Sequence, residues 1–491
     1  MRESGILMHI TSLPGPYGIG TMGRHAYEFV DFLQKAGQSY WQILPLSPTG
    51  FGDSPYQSFS TFAGNNYLID LDLLIEQGLL MQEEVDAANW GSNENRVDYG
   101  SLYENREKVL YQAFSRFVPT QEYESFVQSN EDWLGDYALF MALKRKFKGA
   151  TWRKWILSLM MRLDSGLEAY RLELKEAIDF QYFLQYLFFT QWHALKRYAN
   201  EKGIQIIGDV PIYVPLDSAD VWTNPHLFQL DGNRNPLMVA GCPPDSFSAD
   251  GQLWGNPLYD WGKMKETGYA WWIRRLQAAG NMYDVVRLDH FRGFESYWAV
   301  PAKEETAKGG KWVKGPGQDF IKAVQAAFPD LQFIAEDLGY VTEEVRQLQL
   351  DSGYPGMKLL QFAFDSRETG SYLPHLYPVN SVCYTGTHDN VTTSQWFEEA
   401  AVGDIAHAKA YLGLNEEEGY VWGMIRGAMS SVSRLCIVQM QDYLQLGACA
   451  RMNHPGTLSG GNWTWRASSD LITPELTEKI LNMTRLYGRI S

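Results

Sequence analysis

The chain has few cysteines, a deficit of basic charge and no long apolar runs. Only 4 of its 491 residues are cysteine, and none forms a CxxC pair, so neither a disulfide framework nor a CxxC zinc site is expected. Asp and Glu outnumber Lys and Arg by 58 to 42, giving a formal net charge of −16. This charge repels nucleic acid and anionic lipid, so neither is an expected partner. No apolar run approaches the roughly 20 residues of a membrane span.

Signatures of several enzyme classes are also missing. The sequence has no GxSxG nucleophile elbow, no GxxxxGK[ST] phosphate loop and no HExxH zinc motif. The scattered histidines offer no metal-ligand spacing, so we expect neither a metal nor a cofactor. The first residues carry too short an apolar stretch for a signal peptide, which predicts a cytoplasmic protein. The sequence makes no prediction about oligomeric state.

One glycine motif points to a different class of protein. Gly18–Gly23 reads GIGTMG and precedes a helical pattern, as in dinucleotide-binding folds. The apolar run before it ends near Leu13, however, and the next run ends in LPLSP without an acid for a ribose. We therefore interpret these residues as loop glycines, with an open doubly wound sheet as the main alternative fold.

Aromatic residues, in contrast, are abundant. The chain has 17 Trp, 28 Tyr and 24 Phe, and a large core must hold most of them. Several lie in Gly/Pro-rich stretches, among them Tyr56, Trp254 and Trp463. Flat apolar rings with polar edges around them suit sugars, and a neutral substrate also fits the acidic net charge.

Eight apolar runs are typical of parallel strands buried on both faces. They occupy residues 5–11, 39–46, 204–214, 283–291, 331–339, 356–364, 379–390 and 446–456. Helical patterns at 26–33, 182–202 and 317–328 alternate with them. The pattern predicts the α/β class and a (β/α)8 TIM barrel spanning residues 1–491 as a single catalytic unit.

Two intervals are too long for simple connections between strands. Residues 47–181 separate the second and third predicted strands, and residues 215–282 separate the third and fourth. We expect both to be insertions at the carboxyl ends of the strands. Within the second, residues 240–261 are rich in Pro, Gly and aromatics, which predicts a lid loop. The short tail after the last predicted strand leaves no room for a C-terminal β-sandwich.

Three acidic residues follow apolar runs: Asp289 in RLDHF, Glu336 in IAEDLG and Asp389 in TGTHDN. In a parallel barrel the carboxyl ends of all strands meet on one face, so the three acids are expected in one pocket. Cleavage of a glycosidic bond uses such acids. A structural Arg–Asp pair at a strand end is the alternative for Asp289, because Arg287 lies on the same strand face.

Further polar residues follow other runs. His388 precedes Asp389, Ser54 and Tyr56 follow the second predicted strand, Asp209 ends the third, and Asn453 lies in RMNHPGT. Each of these residue types suits either packing or the binding of sugar hydroxyls. The sequence leaves both roles open.

Taken together, these segments resemble the 4-α-glucanotransferases called amylomaltases or disproportionating enzymes, of the α-amylase clan. The resemblance runs almost end to end and is carried by HITSLPGPYGIG, DSPYQSFSTFAGN, GDVPIYV, PPDSFSADGQLWGNPLYDW, RLDHFRG, AEDLG, THDN, RMNHPGT and GNWTWR. It implies a transferase that moves α-1,4-glucan segments from a maltooligosaccharide donor to a sugar acceptor, glucose or maltodextrin. It also implies a lid in the PPDSFSADGQLWGN segment.

The resemblance implies a role for each matched residue. Asp289 matches the nucleophile, Glu336 the general acid/base and Asp389 the transition-state stabiliser. The residues matching contacts to sugar are Tyr56, Asp209, Trp254, Arg287, His388 and Asn453, and Ser54 lies in the same matched segment. One departure stands out, since a Tyr that precedes GDSPY in one family pattern is Phe51 here. A hydroxyl contact at that position is therefore lost.

Two other functions remain as alternatives at this point. A plain α-glucan hydrolase would use the same acids, and a non-catalytic glucan-binding protein would use the same aromatic residues.

Overall fold

The structure is a computed structural model that describes residues 2–50, 52–244, 248–366, 372–458 and 461–490. Phe51, the departure noted above, lies outside the described residues. The described part of the chain contains twelve strands, numbered in chain order: β1 Glu3–Leu7, β2 Tyr40–Gln42, β3 Gln205–Val210, β4 Met238–Cys242, β5 Gln252–Pro257, β6 Val285–Leu288, β7 Ser296–Pro301, β8 Lys311–Lys314, β9 Gln332–Ala335, β10 Gly356–Leu359, β11 Ser381–Tyr384 and β12 Leu435–Gln439.

Eight of these strands form a closed parallel barrel in the order β1-β12-β11-β10-β9-β6-β3-β2. The closed barrel confirms the predicted (β/α)8 fold and excludes the open doubly wound sheet. The barrel strands are buried because helices cover their outer face, which explains why the sequence shows apolar runs without alternation. The four remaining strands form a second, antiparallel sheet in the order β5-β4-β7-β8.

The prediction of the eighth barrel strand at residues 446–456 was wrong. The eighth strand is β12, and the predicted segment instead contains a 3-10 helix over Ala448–Ala450. Every residue of β12 is buried, whereas Cys449, read as strand-like from the sequence, is exposed. The run LCIVQ is only five residues long and is separated from the helix before it by residues 431–434, SVSR.

Helices fill the remaining intervals. Those described are α1 Arg24–Lys35, α2 Leu71–Glu76, α3 Gln82–Asp86, α4 Tyr99–Arg116, α5 Gln121–Ser129, α6 Leu134–Lys146, α7 Leu157–Met160, α8 Asp164–Glu173, α9 Lys175–Glu201, α10 Ala219–Thr223, α11 Trp261–Glu266, α12 Ala270–Met282, α13 Gly317–Ala327, α14 Glu343–Ser352, α15 Thr393–Glu399, α16 Val402–Leu412, α17 Tyr420–Ser430, α18 Met440–Tyr443 and α19 Pro474–Leu486. The predicted helices at 26–33, 182–202 and 317–328 are α1, the greater part of α9, and α13.

The two long intervals differ in content. Helices α2 to α9 lie between β2 and β3, and the last of them, α9, leads back into the barrel at β3. The sequence predicted that residues 240–261 form a loop without secondary structure, but the structure shows strands in this segment. They contain part of β4 and all of β5, which pair as an antiparallel hairpin. Residues 245–247, which belong to the predicted loop, lie outside the described residues. The Gly/Pro content of the segment is typical of a loop, which concealed this hairpin in the sequence. A β-bulge interrupts the pairing between Val239 and Gly241.

The glycines of GIGTMG serve close packing. A Cβ at Gly23 would lie 1.9 Å from Oδ2 of Asp70, and one at Gly20 would lie 1.9 Å from the carbonyl oxygen of Ile10. Asp70 also accepts a hydrogen bond from Oγ1 of Thr21 at 2.6 Å. The motif therefore fixes the chain between β1 and α1, as the loop interpretation predicted.

The two ends of the chain meet at the amino-terminal face of the barrel. The buried guanidinium of Arg489 donates to the carbonyl oxygens of Met429, Glu3, Ser433 and Ser431 at distances from 2.7 to 3.1 Å. These contacts join the C-terminal segment to β1 and to the turn before β12. After β12, the described residues contain only helices and loops.

Candidate active site

The three predicted acids follow barrel strands at their carboxyl ends. Leu288 of β6 and Ala335 of β9 are direct partners in the parallel sheet, and the next residues are Asp289 and Glu336. The backbone N–H of Glu336 donates to the carbonyl of Leu288 at 3.1 Å. The two acids therefore leave adjacent, hydrogen-bonded strands at the same level. Asp389 follows β11, two strands further round the barrel.

Arg287 links two of the carboxylates. Its Nη1 lies 2.6 Å from Oδ2 of Asp209 and 3.0 Å from Oδ1 of Asp289. Side-chain exposure is 4% for Arg287, 1% for Asp209 and 26% for Asp289. Asp289 is thus the partner that opens towards a ligand, while Asp209 holds the guanidinium from inside.

The carboxylates influence one another electrostatically. Burial raises the pKa of Asp289 well above its usual range, Arg287 opposes this rise, and the charges of Asp209, Glu336 and Asp389 add to it. These charges act on Asp289 because the acids lie in one site. An ionised Asp289 therefore depends on the cation of Arg287.

Glu336 is held by two backbone donors. The N–H of His290 donates to its Oε2 at 2.8 Å, and the N–H of Leu338 donates to its Oε1 at 2.9 Å. His290 adopts the left-handed conformation, with φ 51° and ψ 49°, directly after Asp289. Burial raises the pKa of Glu336, whereas Arg287 and the two backbone N–H groups oppose the rise. A carboxyl with a raised pKa is suited to donate a proton.

A chain of contacts continues from Asp209 to Asp389. The hydroxyl of Tyr56 donates to Oδ2 of Asp209 at 2.7 Å, and the Tyr56 ring stacks on His388 at 5.2 Å between centroids and 13° between planes. Nε2 of His388 lies 3.4 Å from Oδ2 of Asp389, and Nδ2 of Asn453 donates to Oδ1 of Asp389 at 2.6 Å.

The surroundings of His388 favour its neutral imidazole form. Burial lowers its pKa below the usual histidine range, and the charge of Asp389 only partly opposes this. Burial therefore favours a neutral imidazole beside the Asp389 carboxylate.

The two remaining predicted residues join the same group. Oγ of Ser54 accepts a hydrogen bond from the N–H of Tyr56 at 3.2 Å. The Trp254 ring meets the His290 ring edge to face, at 4.9 Å and 88°. The structure thus brings all ten predicted site residues together, either by direct contact or through His290.

Two residues of the site escaped the sequence reasoning. His290 contributes the N–H to Glu336, and its position next to Asp289 was the only available signal. Arg451 lies in the matched motif RMNHPGT, and its guanidinium donates to the carbonyl oxygens of Asp389 at 2.9 Å and Asn453 at 2.8 Å. Backbone contacts of this kind depend on the folded geometry and leave no pattern in a sequence. Within the described ranges, no group of three or more His, Cys, Asp or Glu is arranged to hold a metal ion.

Carboxylates, a guanidinium and aromatic rings lie together at the carboxyl ends of the strands of a parallel barrel. This arrangement is typical of a carbohydrate-active enzyme. Comparison with known proteins defines the class further. The sequence model of the family described as 4-alpha-glucanotransferase matches residues 8–472, and the chain belongs to this family.

Individual relatives agree with this assignment. The chain is 51% identical over 486 residues to the 4-alpha-glucanotransferase of Clostridium butyricum, covering 98% of this chain and 100% of the relative. It is 50% identical over 495 residues to that of Streptococcus pneumoniae, covering 100% and 98%. The solved amylomaltase of Streptococcus agalactiae, in complex with acarbose, superposes with a TM-score of 0.97 at 44% identity over 100% of both chains. The activity is therefore that of a 4-alpha-glucanotransferase, and neither the hydrolase nor the binding-protein alternative is favoured.

Proposed function

We propose that the chain transfers α-1,4-glucan segments by a retaining double displacement, with Asp289 as nucleophile and Glu336 as general acid and base. The observation that supports this most directly is that the two acids follow register partners on adjacent strands. Neighbouring strands lie ~4.8 Å apart, close to the ~5–5.5 Å carboxyl separation of retaining enzymes. That separation stays a prediction for Asp289 and Glu336.

In the first half of the reaction, Glu336 protonates the glycosidic oxygen while Asp289 attacks the anomeric carbon. The C–O bond to the reducing-end fragment breaks, that fragment leaves with the proton, and a glucanosyl ester forms on Asp289. Arg287 keeps Asp289 ionised for the attack. Its 3.0 Å contact and the buried anchor of Asp209 support this role.

In the second half, the 4-hydroxyl of an acceptor sugar enters and Glu336, now ionised, removes its proton. The hydroxyl oxygen attacks the anomeric carbon, Asp289 leaves, and an α-1,4 bond forms again. Asp389 is proposed to bind the hydroxyls of the distorted sugar, assisted by Asn453 and His388, with bonds that strengthen in the transition state. Tyr56 and Ser54 are proposed to line the donor side, and Asp209, whose side chain is buried, is proposed to hold the hydroxyl of Tyr56 there.

Transfer prevails over hydrolysis only where the ester is shielded from water and a sugar is better placed than water. We propose that the β4–β5 hairpin covers the donor as the lid predicted from the sequence. Trp254 lies on this hairpin and contacts His290, which supports a position beside the reacting bond.

The finer assignments belong to the same proposal. We infer a maltooligosaccharide donor, glucose or maltodextrin as acceptor, and one catalytic unit over residues 1–491 with insertions at 47–181 and 215–282. Among the described residues, no helix combines the length and apolar character needed to cross a membrane. A cytoplasmic location is proposed from the widely spaced cysteines, none of which forms a CxxC pair.

Incubation with maltotriose tests the proposed reaction. Transfer yields glucose and longer dextrins without raising the total number of reducing ends, whereas hydrolysis raises it. Glu336→Gln is expected to lower turnover by at least about a hundredfold, because it removes the proton donor. The variant should keep the wild-type circular dichroism spectrum. Near-normal turnover by Glu336→Gln would dismiss its role.

A further inference from the structure

An exposed aromatic residue lies close to the catalytic acid, and neither the sequence motifs nor the roles above account for it. Tyr340 follows Glu336 by four positions, and 70% of it is exposed. Its ring is nearly parallel to that of Trp312 on β8, at 6.5 Å between centroids and 20° between planes. Trp312 is itself 38% exposed, so both rings reach the surface.

Arg292 fixes this pair of rings. Its guanidinium carbon lies 3.8 Å from the centroid of the Trp312 ring and 5.7 Å from that of Tyr340. It also donates to the carbonyl oxygen of Tyr340, and its Nη2 donates to Oγ of Ser296 at 3.1 Å. Arg292 is only 4% exposed, so the cation is covered while the Tyr340 ring is not. A ring with this exposure keeps one face open.

The position of Tyr340 indicates which half of the substrate it can meet. The acid that protonates the glycosidic oxygen lies on the side of the leaving fragment, which is also the side from which the acceptor enters. Tyr340 extends from this acid through Leu338, whose N–H binds Glu336, and Gly339, whose φ of 81° turns the chain. Arg292 in turn follows Asp289 by three residues. The rings are thus tied to both catalytic segments.

We propose that the open face of Tyr340, supported by Arg292 and Trp312, stacks on a glucose unit of the acceptor chain beyond the unit that receives the bond. This inference rests on the proposed roles of Glu336 and Asp289. The C–H face of a glucose ring packs on an aromatic face in the way other apolar surfaces do. A ring held in place before binding loses little entropy on contact. The unit bonded to the donor sugar is proposed to lie next to Glu336, four residues before Tyr340, so we expect a single glucose not to contact Tyr340.

The experiment compares acceptors of two lengths. An α-maltosyl fluoride donor is used because its leaving group is one atom and does not occupy the acceptor side. Fluoride release and product formation are followed with glucose or maltotriose as acceptor, for the wild type, Tyr340→Ala and Tyr340→Phe. Tyr103→Ala is the matched control, because Tyr103 is 80% exposed on α4.

For Tyr340→Ala, we expect the half-saturating concentration of maltotriose to rise about three- to tenfold, as the loss of one aromatic contact implies. That of glucose should stay within about twofold, and Tyr340→Phe and Tyr103→Ala should behave like the wild type for both acceptors. The inference is overturned if Tyr340→Ala raises the half-saturating concentrations of glucose and maltotriose equally, as a merely structural role would. It is also overturned if the substitution changes neither concentration. Failure of the wild type to lengthen maltotriose would instead overturn the proposed transfer, and the acceptor contact with it.

Discussion

Replacing Arg287 with Met tests how the site keeps Asp289, the proposed nucleophile, ionised. The guanidinium contacts Asp209 at 2.6 Å and Asp289 at 3.0 Å, and burial raises the pKa of Asp289. Without the cation, the charges of Asp209, Glu336 and Asp389 act on Asp289 unopposed. We therefore expect the pKa of Asp289 to rise further and the acid limb of the activity profile to move to higher pH.

The same substitution has a cost in stability. Arg287 and Asp209 are 4% and 1% exposed, so neither reaches solvent once its partner is removed. Removing one member of a buried ion pair destabilises a protein by about 3–5 kcal/mol. The lost contact with Asp289 adds less to this destabilisation, because the side chain of Asp289 is 26% exposed. We expect a loss of about 3 kcal/mol or more for Arg287→Met.

Urea unfolding and the pH dependence of maltotriose turnover measure the two effects separately. The double variant Arg287→Met with Asp209→Asn should recover part of the stability, because no unpaired buried charge remains at Asp209, but should not recover turnover. Arg106→Met is a control for loss of a buried guanidinium outside the site, since Arg106 is fully buried on α4. Arg287→Met with wild-type stability and an unshifted pH profile would refute the reasoning.

Two further predictions concern stability away from the reaction. Burial raises the pKa of Asp220 to about 6, against an ordinary value of 3.8, so the folded chain binds this proton more tightly than the unfolded chain does. Stability from this group is therefore lost as pH rises from about 4 to 6, and Asp220→Asn should be more stable than the wild type at pH 7 by about 1–3 kcal/mol but not at pH 4, as measured by urea unfolding. Arg489→Met should lower the unfolding free energy by about 3 kcal/mol, because four carbonyl oxygens, that of Glu3 and three within residues 429–433, lose their donor. An unchanged unfolding midpoint would contradict a stabilising role for the contacts that join the C-terminal segment to β1 and to the turn before β12.

The sequence predicted the barrel because parallel strands covered on both faces are continuous apolar runs, and seven of the eight were located. The eighth was misplaced: the strand is the five-residue run LCIVQ, which follows the polar residues Ser433 and Arg434. The antiparallel sheet was missed because of the composition of its strands. Its strands β4 and β5 contain Gly241 and Pro257 and lie in a segment whose composition is that of a loop.

The site was predictable to the extent that its side chains follow strands. Asp289, Glu336 and Asp389 could be located from the strands before them. The backbone N–H of His290 and the carbonyl contacts of Arg451 could not, because they depend on where the chain turns. The placement of Tyr340 over Arg292 likewise becomes visible only when β8 and the segment after β9 lie side by side.

Trapping the covalent intermediate tests the central claim most directly. Glu336→Gln should still react with an α-maltotriosyl fluoride, since fluoride leaves without a proton donor, but should release the sugar slowly because the base is missing. Peptide mass spectrometry of the quenched enzyme should then find one maltotriosyl unit as an ester on Asp289. A sugar bound to another residue, or fluoride release with no labelled peptide at any time, would contradict the account.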